Sequence, residues 1–142
     1  MGGRWYAASG DSAGYLGPIE SLLQGHGYFP DHRMPGYGAP YLLLRLVLER
    51  TAAFHGIVWL QVAASALAVV LLAKLAFLLS SDVRAFHLTF WSALVATYTS
   101  YFDQHLTTES FSSMALVLSA YCAVKYLQGS GMRTLLFAGT AI

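Results

Sequence analysis

Two polar segments carry the side chains best suited to chemistry, and both precede the first long apolar run. The first is Gly10-Asp11-Ser12-Ala13-Gly14-Tyr15, and the second is Arg33-Met34-Pro35-Gly36-Tyr37. A carboxylate and an arginine held close to apolar helices indicate chemistry on a lipid-linked substrate, because a simple membrane anchor would need neither.

Transfer of a sugar to a hydroxyl group fits this pair of segments. The reaction needs a carboxylate that takes the acceptor proton while the anomeric carbon is attacked. It also needs cationic groups, or a metal, to stabilise a phosphate leaving group. We predict that Asp11 is the base, with a pKa raised by burial near lipid, and that Arg33 clamps the phosphate through both arms of its guanidinium.

A later polar turn, residues 103–109, adds a second set of candidates. Asp103, His105 and Glu109 lie within this turn. Glu109 or Asp103 could hold a divalent metal or orient the acceptor, and His105 is a further candidate for either task. Mg²⁺ or Mn²⁺ is the metal expected if one takes part. The five histidines lack the close spacing of a zinc site.

Each of these residues also has a purely structural interpretation. Asp11 could cap a helical turn. Glu109 could complement the dipole at a helix N-terminus. Arg33 could pair with Asp31 or with lipid headgroups, and Asp103 could be a solvated turn residue. Residue type and spacing leave both interpretations open.

Composition places the chain among membrane proteins. Of its 142 residues, 56% are hydrophobic and only 11% are charged, whereas a soluble domain carries about 25% charged residues. Mean hydropathy is +0.53. The net charge of +1 gives no reason to expect a nucleic-acid partner.

Short interfacial helices are expected in the N-terminal part. One short helix is predicted with Gly17 as its N-cap, Pro18 as its first residue and Gly25 as its C-terminal stop. A second, amphipathic helix is predicted over Pro40–Phe54, where an apolar stripe lies beside charged residues.

The fold class predicted is an all-α polytopic membrane protein. Spans are expected at about Ile57–Leu79, Ala85–Phe102 and Ser110–Leu127, with a partial fourth from Arg133. One membrane domain would fill residues 1–142, with an external loop and interfacial helices in 1–54 and transmembrane helices in 55–142. Because the last apolar run stops nine residues after Arg133, we expect a fragment of a longer protein.

The distribution of basic residues predicts the sidedness. Lysines and arginines follow the first and third spans, at Lys74, Arg84, Lys125 and Arg133, which assigns those turns to the cytoplasm. Residues 1–40 and 103–109 then share the external face. Arg45 and Arg50 also fall outside, against the rule, and an anionic ligand would explain them.

The order of these motifs resembles the GT-C class of integral membrane glycosyltransferases. The closest group is the dolichyl-phosphate-mannose protein mannosyltransferase-like family, which includes bacterial aminoarabinose and lipopolysaccharide-core transferases. The resemblance is carried by the Gly10–Tyr15 and Arg33–Tyr37 motifs, by Leu22-Leu23-Gln24-Gly25-His26-Gly27-Tyr28 between them, and by Thr108-Glu109-Ser110. The chain departs from the family at Ser12, where the family often has glutamate, and at Gly38, where it often has proline.

The resemblance implies an inverting transferase that uses a polyprenyl-phosphate sugar on the external side of the membrane. Asp11 matches the family's catalytic acid and Glu109 its second external acid, while Arg33 and Tyr37 would lie near the donor phosphate. The acceptor would be a lipid, a glycan or a protein. The location implied is a bacterial inner (plasma) membrane. A transporter or flippase segment that binds a lipid phosphate without catalysis is the alternative.

Overall fold

The computed structural model describes residues 10–28, 38–96 and 109–129. Within these ranges the chain forms five α-helices and no strands. They are α1 (Gly10–Leu23), α2 (Gly38–Arg45), α3 (Arg50–Ser80), α4 (Val83–Val95) and α5 (Glu109–Leu127). The predicted all-α class is confirmed for this part of the chain.

Two of the helices are long and apolar enough to cross a bilayer. Helix α3 has 31 residues and a peak mean hydropathy of 2.5, and the Ser110–Leu127 part of α5 reaches 1.3. At 1.5 Å per residue α3 is about 46 Å long, more than the roughly 30 Å of a hydrocarbon core. In each helix only 11% of the apolar window is buried within the structure, so most of this apolar surface is left for another environment.

The chain separates into two compact units. The first contains α1, α2 and the start of α3 through Val62, and the second contains the rest of α3 together with α4 and α5.

Helix α1 begins eight residues before Pro18, the predicted first helical residue. The expected start at Gly17 and Pro18 is wrong, because the helix runs from Gly10 and Pro18 lies inside it. Proline favours the first turn of a helix, whereas in the interior it removes one N–H donor and its ring crowds the carbonyl four residues earlier. Here Leu16 and Ile19 on either side are 6% and 5% exposed, and their burial favours the helix across the proline.

The predicted stop of α1 at Gly25 is confirmed. Gly25 has a φ of +79°. The N–H of Gly25 donates to the carbonyl of Leu22 at 3.1 Å, and the N–H of His26 donates to the carbonyl of Ser21 at 3.0 Å. This pair of bonds is the Schellman arrangement, which satisfies carbonyls at the end of a helix and favours glycine at the left-handed position.

The single amphipathic helix predicted over Pro40–Phe54 is wrong. Helix α2 ends at Arg45, and α3 begins at Arg50 after a turn. The carbonyl of Leu48, which would accept from the N–H four residues later in a continuous helix, accepts a 3.0 Å bond from Nη1 of Arg45. The Arg45 side chain therefore satisfies a carbonyl that the helix break leaves without its helical donor.

In the second unit, polar side chains terminate the helices. Oδ1 of Asp82 accepts from the N–H of Arg84 at 2.8 Å and caps the N-terminus of α4. Nε2 of Gln128, just after α5, donates to the carbonyl of Leu78 in the last turn of α3 at 3.1 Å. Only Ser81 and Asp82 separate α3 from α4.

The expected span over Ala85–Phe102 is not found as one helix. Helix α4 has 13 residues, about 20 Å, and Ala96 ends it in an extended conformation with ψ of 94°. Residues 97–102, and the expected fourth span from Arg133, lie outside the described residues. The third predicted span agrees with α5.

Candidate functional site

Only two of the predicted site residues fall in the described part of the chain. Asp11 is the second residue of α1, and Glu109 is the first residue of α5. Asp11 belongs to the first compact unit and Glu109 to the second. The remaining candidates, Arg33, Tyr37, Asp103 and His105, lie outside the described residues.

Both acids occupy the first turn of their helix. The partial positive charge at a helix N-terminus stabilises a carboxylate there. The structural interpretation of Glu109 as an acid at a helix N-terminus agrees with its position. The alternative that Asp11 caps a helical turn does not, because Asp11 is the second residue of α1 and lies inside the helix.

The best-defined polar cluster in the first unit joins α1 to α2. Oε1 of Glu20 accepts a hydrogen bond from Oη of Tyr41 at 2.5 Å and a charged one from Nε of Arg45 at 2.9 Å. Tyr41 and Arg45 are four residues apart on α2, so they lie on one face of that helix. We call Glu20, Tyr41 and Arg45 the interhelical clamp.

Burial makes the interhelical clamp a well-defined contact. Tyr41 is fully buried, and the side chains of Glu20 and Arg45 are only 14% and 19% exposed. A buried carboxylate is tolerated only when it is paired and hydrogen-bonded, and here Glu20 is both. The clamp therefore has the geometry of a structural ion pair in which the carboxylate is already occupied.

Aromatic packing continues the clamp into α3. The ring of Tyr41 stacks on Phe54 with centroids 5.4 Å apart and planes 8° from parallel. The guanidinium carbon of Arg50 lies 5.5 Å from the centre of the Phe54 ring, within cation–π range. The start of α3 is thus attached to the same cluster that joins α1 and α2.

The clamp keeps the carboxylate of Glu20 ionised. Desolvation is the largest influence and by itself raises the pKa of Glu20. Hydrogen bonds from Arg45 and Tyr41, and the charges of Arg45 and Arg50, outweigh it and leave the pKa of Glu20 below its ordinary value. A carboxylate held in its charged form by fixed donors is a poor general base, because proton uptake would break those bonds.

The two residues that donate to Glu20 are each stabilised in their protonated form, Tyr41 as a neutral hydroxyl and Arg45 as a cation. Burial, and then the hydrogen bond and negative charge of Glu20, raise the pKa of Tyr41 well above its ordinary value. The bond to Glu20 is the leading cause that raises the pKa of Arg45. Tyr41 therefore remains a neutral O–H donor and Arg45 a cation over the physiological range.

The structure gives Arg45 a different anionic partner from the one that the sequence suggested. Its position on the external face indicated an anionic ligand, but in the structure its anionic partner is Glu20, with the Leu48 carbonyl as a second acceptor. Sequence reasoning missed the clamp. The available signal was an arginine within an otherwise apolar eight-residue helix, which requires a nearby acceptor.

The described residues contain no group of three or more metal-ligating side chains close enough to hold an ion. The predicted metal candidates Asp103 and His105 are outside these residues, so the prediction of Mg²⁺ or Mn²⁺ stays a prediction.

Comparisons of this chain with protein-family models, with curated proteins and with solved structures gave no match.

Proposed function

We propose that this chain is part of an inverting membrane glycosyltransferase that moves a sugar from a polyprenyl-phosphate donor to an acceptor on the external side of the membrane. The observation that carries the proposal is the placement of Asp11. Its helix, α1, is joined by Glu20 to α2, and α2 leads directly into α3, the longer of the two helices able to cross a bilayer.

This placement suits a reaction at a membrane surface. A polyprenyl-phosphate donor keeps its lipid in the bilayer and its sugar phosphate at the interface, so the reacting groups must lie beside a span. The residues between α1 and α2, numbers 24–37, include Arg33 and Tyr37. The chain therefore joins the helix that carries the proposed base to the proposed donor-phosphate residues through a single connection.

In the proposed reaction, the acceptor hydroxyl attacks the anomeric carbon and gives its proton to the carboxylate of Asp11. The bond between that carbon and the phosphate oxygen breaks, and the phosphate leaves with the electron pair, stabilised by Arg33 and Tyr37. Attack from the opposite side inverts the configuration. Glu109 would assist as the second acid, with Asp103 and His105 orienting the acceptor or holding a divalent metal.

The finer topology is part of the same proposal. Three full spans and a partial fourth would place residues 1–40 and 103–109 outside a bacterial inner membrane, with Arg84 in the cytoplasm. This topology requires a second crossing longer than the 13 residues of α4. The two apolar helices, α3 and α5, support the membrane location. The acceptor would be a lipid, a glycan or a protein.

The test is a transfer assay on membranes that contain the complete gene product. A panel of radiolabelled polyprenyl-phosphate sugars (mannose, glucose and aminoarabinose) is supplied, and labelled acceptor is counted. Asp11→Asn is expected to lower transfer about 10²- to 10⁴-fold, the usual contribution of a general base, without changing membrane insertion measured by protease protection.

Asp82→Asn is the matched control. It makes the same chemical change at the N-cap of α4, where asparagine caps as well as aspartate, so transfer should stay at the unaltered level. Full transfer by Asp11→Asn would exclude Asp11 as the base. Movement of the labelled lipid across vesicles without any transfer would instead favour the flippase alternative.

A further inference from the structure

One helix carries both the proposed base and the acid of the interhelical clamp. Asp11 and Glu20 are nine residues apart in α1, about 14 Å along the helix axis. Any rotation or tilt of α1 about its contact with α2 would move its N-terminal turn by a distance that grows with this separation. The orientation of α1 is therefore coupled to the location of Asp11.

The clamp is suited to resist such movement. Two donors on successive turns of α2 converge on one oxygen of Glu20, so a shift of α1 along or around α2 lengthens at least one of the two bonds. The stacking of Tyr41 on Phe54 also restrains α2 relative to the start of α3. The Glu20 carboxylate thus connects α1 to a helix pair that is already attached to the proposed span.

We infer that Glu20 is a positioning residue, which holds α1 on α2 so that Asp11 meets the reacting hydroxyl. This inference rests on the proposed function. In this role Glu20 acts by holding α1, through the bonds that its Oε1 accepts from Tyr41 and Arg45. Its contribution is geometric, and small displacements of a catalytic group lower rates strongly.

The first measurement is a distance that does not depend on activity. Spin labels are attached at Gly17→Cys and Ala39→Cys, in α1 and α2, in a Cys122→Ala background that removes the chain's single cysteine. Pulsed electron spin resonance then gives the distance distribution in the complete gene product in nanodiscs. Wild-type Glu20 should give a narrow distribution and Glu20→Ala a broad or shifted one, with Glu20→Gln between them because its amide oxygen still accepts from Tyr41.

The second measurement is the kinetics of sugar transfer per folded protein. Glu20→Ala is expected to lower kcat about 10- to 100-fold while KM for the polyprenyl-phosphate sugar stays within about twofold, since the donor contacts remain. Glu20→Gln should recover part of kcat. Glu49→Gln, which removes a carboxylate at an exposed position outside the clamp, should change neither constant.

The two measurements separate the failure of this inference from that of the proposed function. An unchanged distance distribution in Glu20→Ala overturns the inference, and so does a broadened one with unchanged kcat. Loss of folded protein with normal activity per folded molecule overturns it too, since that shows a purely structural role. Absence of transfer by the unaltered protein overturns the proposed function, and the positioning role with it, while the distances still report whether the clamp exists.

Discussion

The hydroxyl of Tyr41 donates to the carboxylate of Glu20, 21 residues earlier in the chain, and this bond is the centre of the contact between α1 and α2. Arg45 donates to the same oxygen from the next turn of α2. Because Tyr41 is fully buried, water cannot readily replace the bond. The bonds of Tyr41 and Arg45 to Glu20 hold α1 and α2 together in the first compact unit, and the effects of removing them can be predicted.

Removal of the Tyr41 hydroxyl should destabilise the first unit while leaving its ring packing intact. Tyr41→Phe retains the stack on Phe54 but leaves the Glu20 carboxylate with one donor fewer, and we expect a loss of about 1–3 kcal/mol. Thermal unfolding in detergent, followed by circular dichroism, measures the change. Tyr126→Phe, at a position that is 37% exposed, should lie within about 0.5 kcal/mol of wild type; equal effects of the two variants would contradict the structure.

The lowered pKa of Glu20 predicts a specific loss of stability in acid. An unfolded glutamate takes up its proton near pH 4.5, whereas folded Glu20 does so only at lower pH. Its contribution is therefore complete above about pH 4.5 and is lost as the pH falls through the folded pKa. Between about pH 7 and about pH 3, the unfolding temperature of Glu20→Gln should fall less steeply than that of wild type.

Other carboxylates titrate in both proteins, so the difference between the two pH curves isolates Glu20. Glu49→Gln provides the comparison for loss of a carboxylate at an exposed position outside the clamp. A wild-type curve parallel to that of Glu20→Gln would mean that Glu20 is not stabilised in its charged form.

Substitutions of two glycines of the α1 region should have opposite signs. Gly25 adopts φ +79°, where a side chain costs roughly 1–2 kcal/mol, so Gly25→Ala should destabilise the helix end. Gly17 is helical and exposed, and no atom of the described chain lies within 4 Å of a Cβ placed on it. Gly17→Ala should therefore be neutral or stabilising by up to about 1 kcal/mol. The helix content and unfolding temperature of Gly25→Ala and Gly17→Ala measure these two effects. If Gly17→Ala is destabilising as well, a side chain at position 17 is not in open space.

The Asp82 cap predicts a difference between two substitutions at one position. Asp82→Ala removes the acceptor for the Arg84 N–H and should cost about 0.5–2 kcal/mol, whereas Asp82→Asn should cost much less because asparagine is an equally good N-cap. Amide hydrogen exchange in the first turn of α4 is the direct measurement. Faster exchange in Asp82→Ala alone supports the cap, and equal exchange in both variants contradicts it.

Some features of the fold were predictable because their causes are local. The long uncharged run in α3 is apolar regardless of what surrounds it, and Gly25 and Asp82 act through bonds to residues within four positions. The start of α5 at Glu109 was likewise predictable from the acid and polar residues before an apolar run. Each of these features is stabilised by interactions between residues that are close in sequence, so residue type and spacing are enough to predict it.

Other features depend on residues that meet only in the folded chain. Nothing local marks a break after Arg45, since residues 46–49 contain neither glycine nor proline; the break accompanies a side chain held by Glu20, 25 positions away. The proline rule misplaced the start of α1, which continues through Pro18 between the buried side chains of Leu16 and Ile19. Sequence alone thus determined the helical, apolar character of this protein, which follows from hydropathy and short-range bonds. Only the tertiary structure decided where α2 ends and which acid Arg45 binds. Arg45 and Glu20 are 25 positions apart, so the burial that requires a charged partner for each arises only when α1 and α2 pack together.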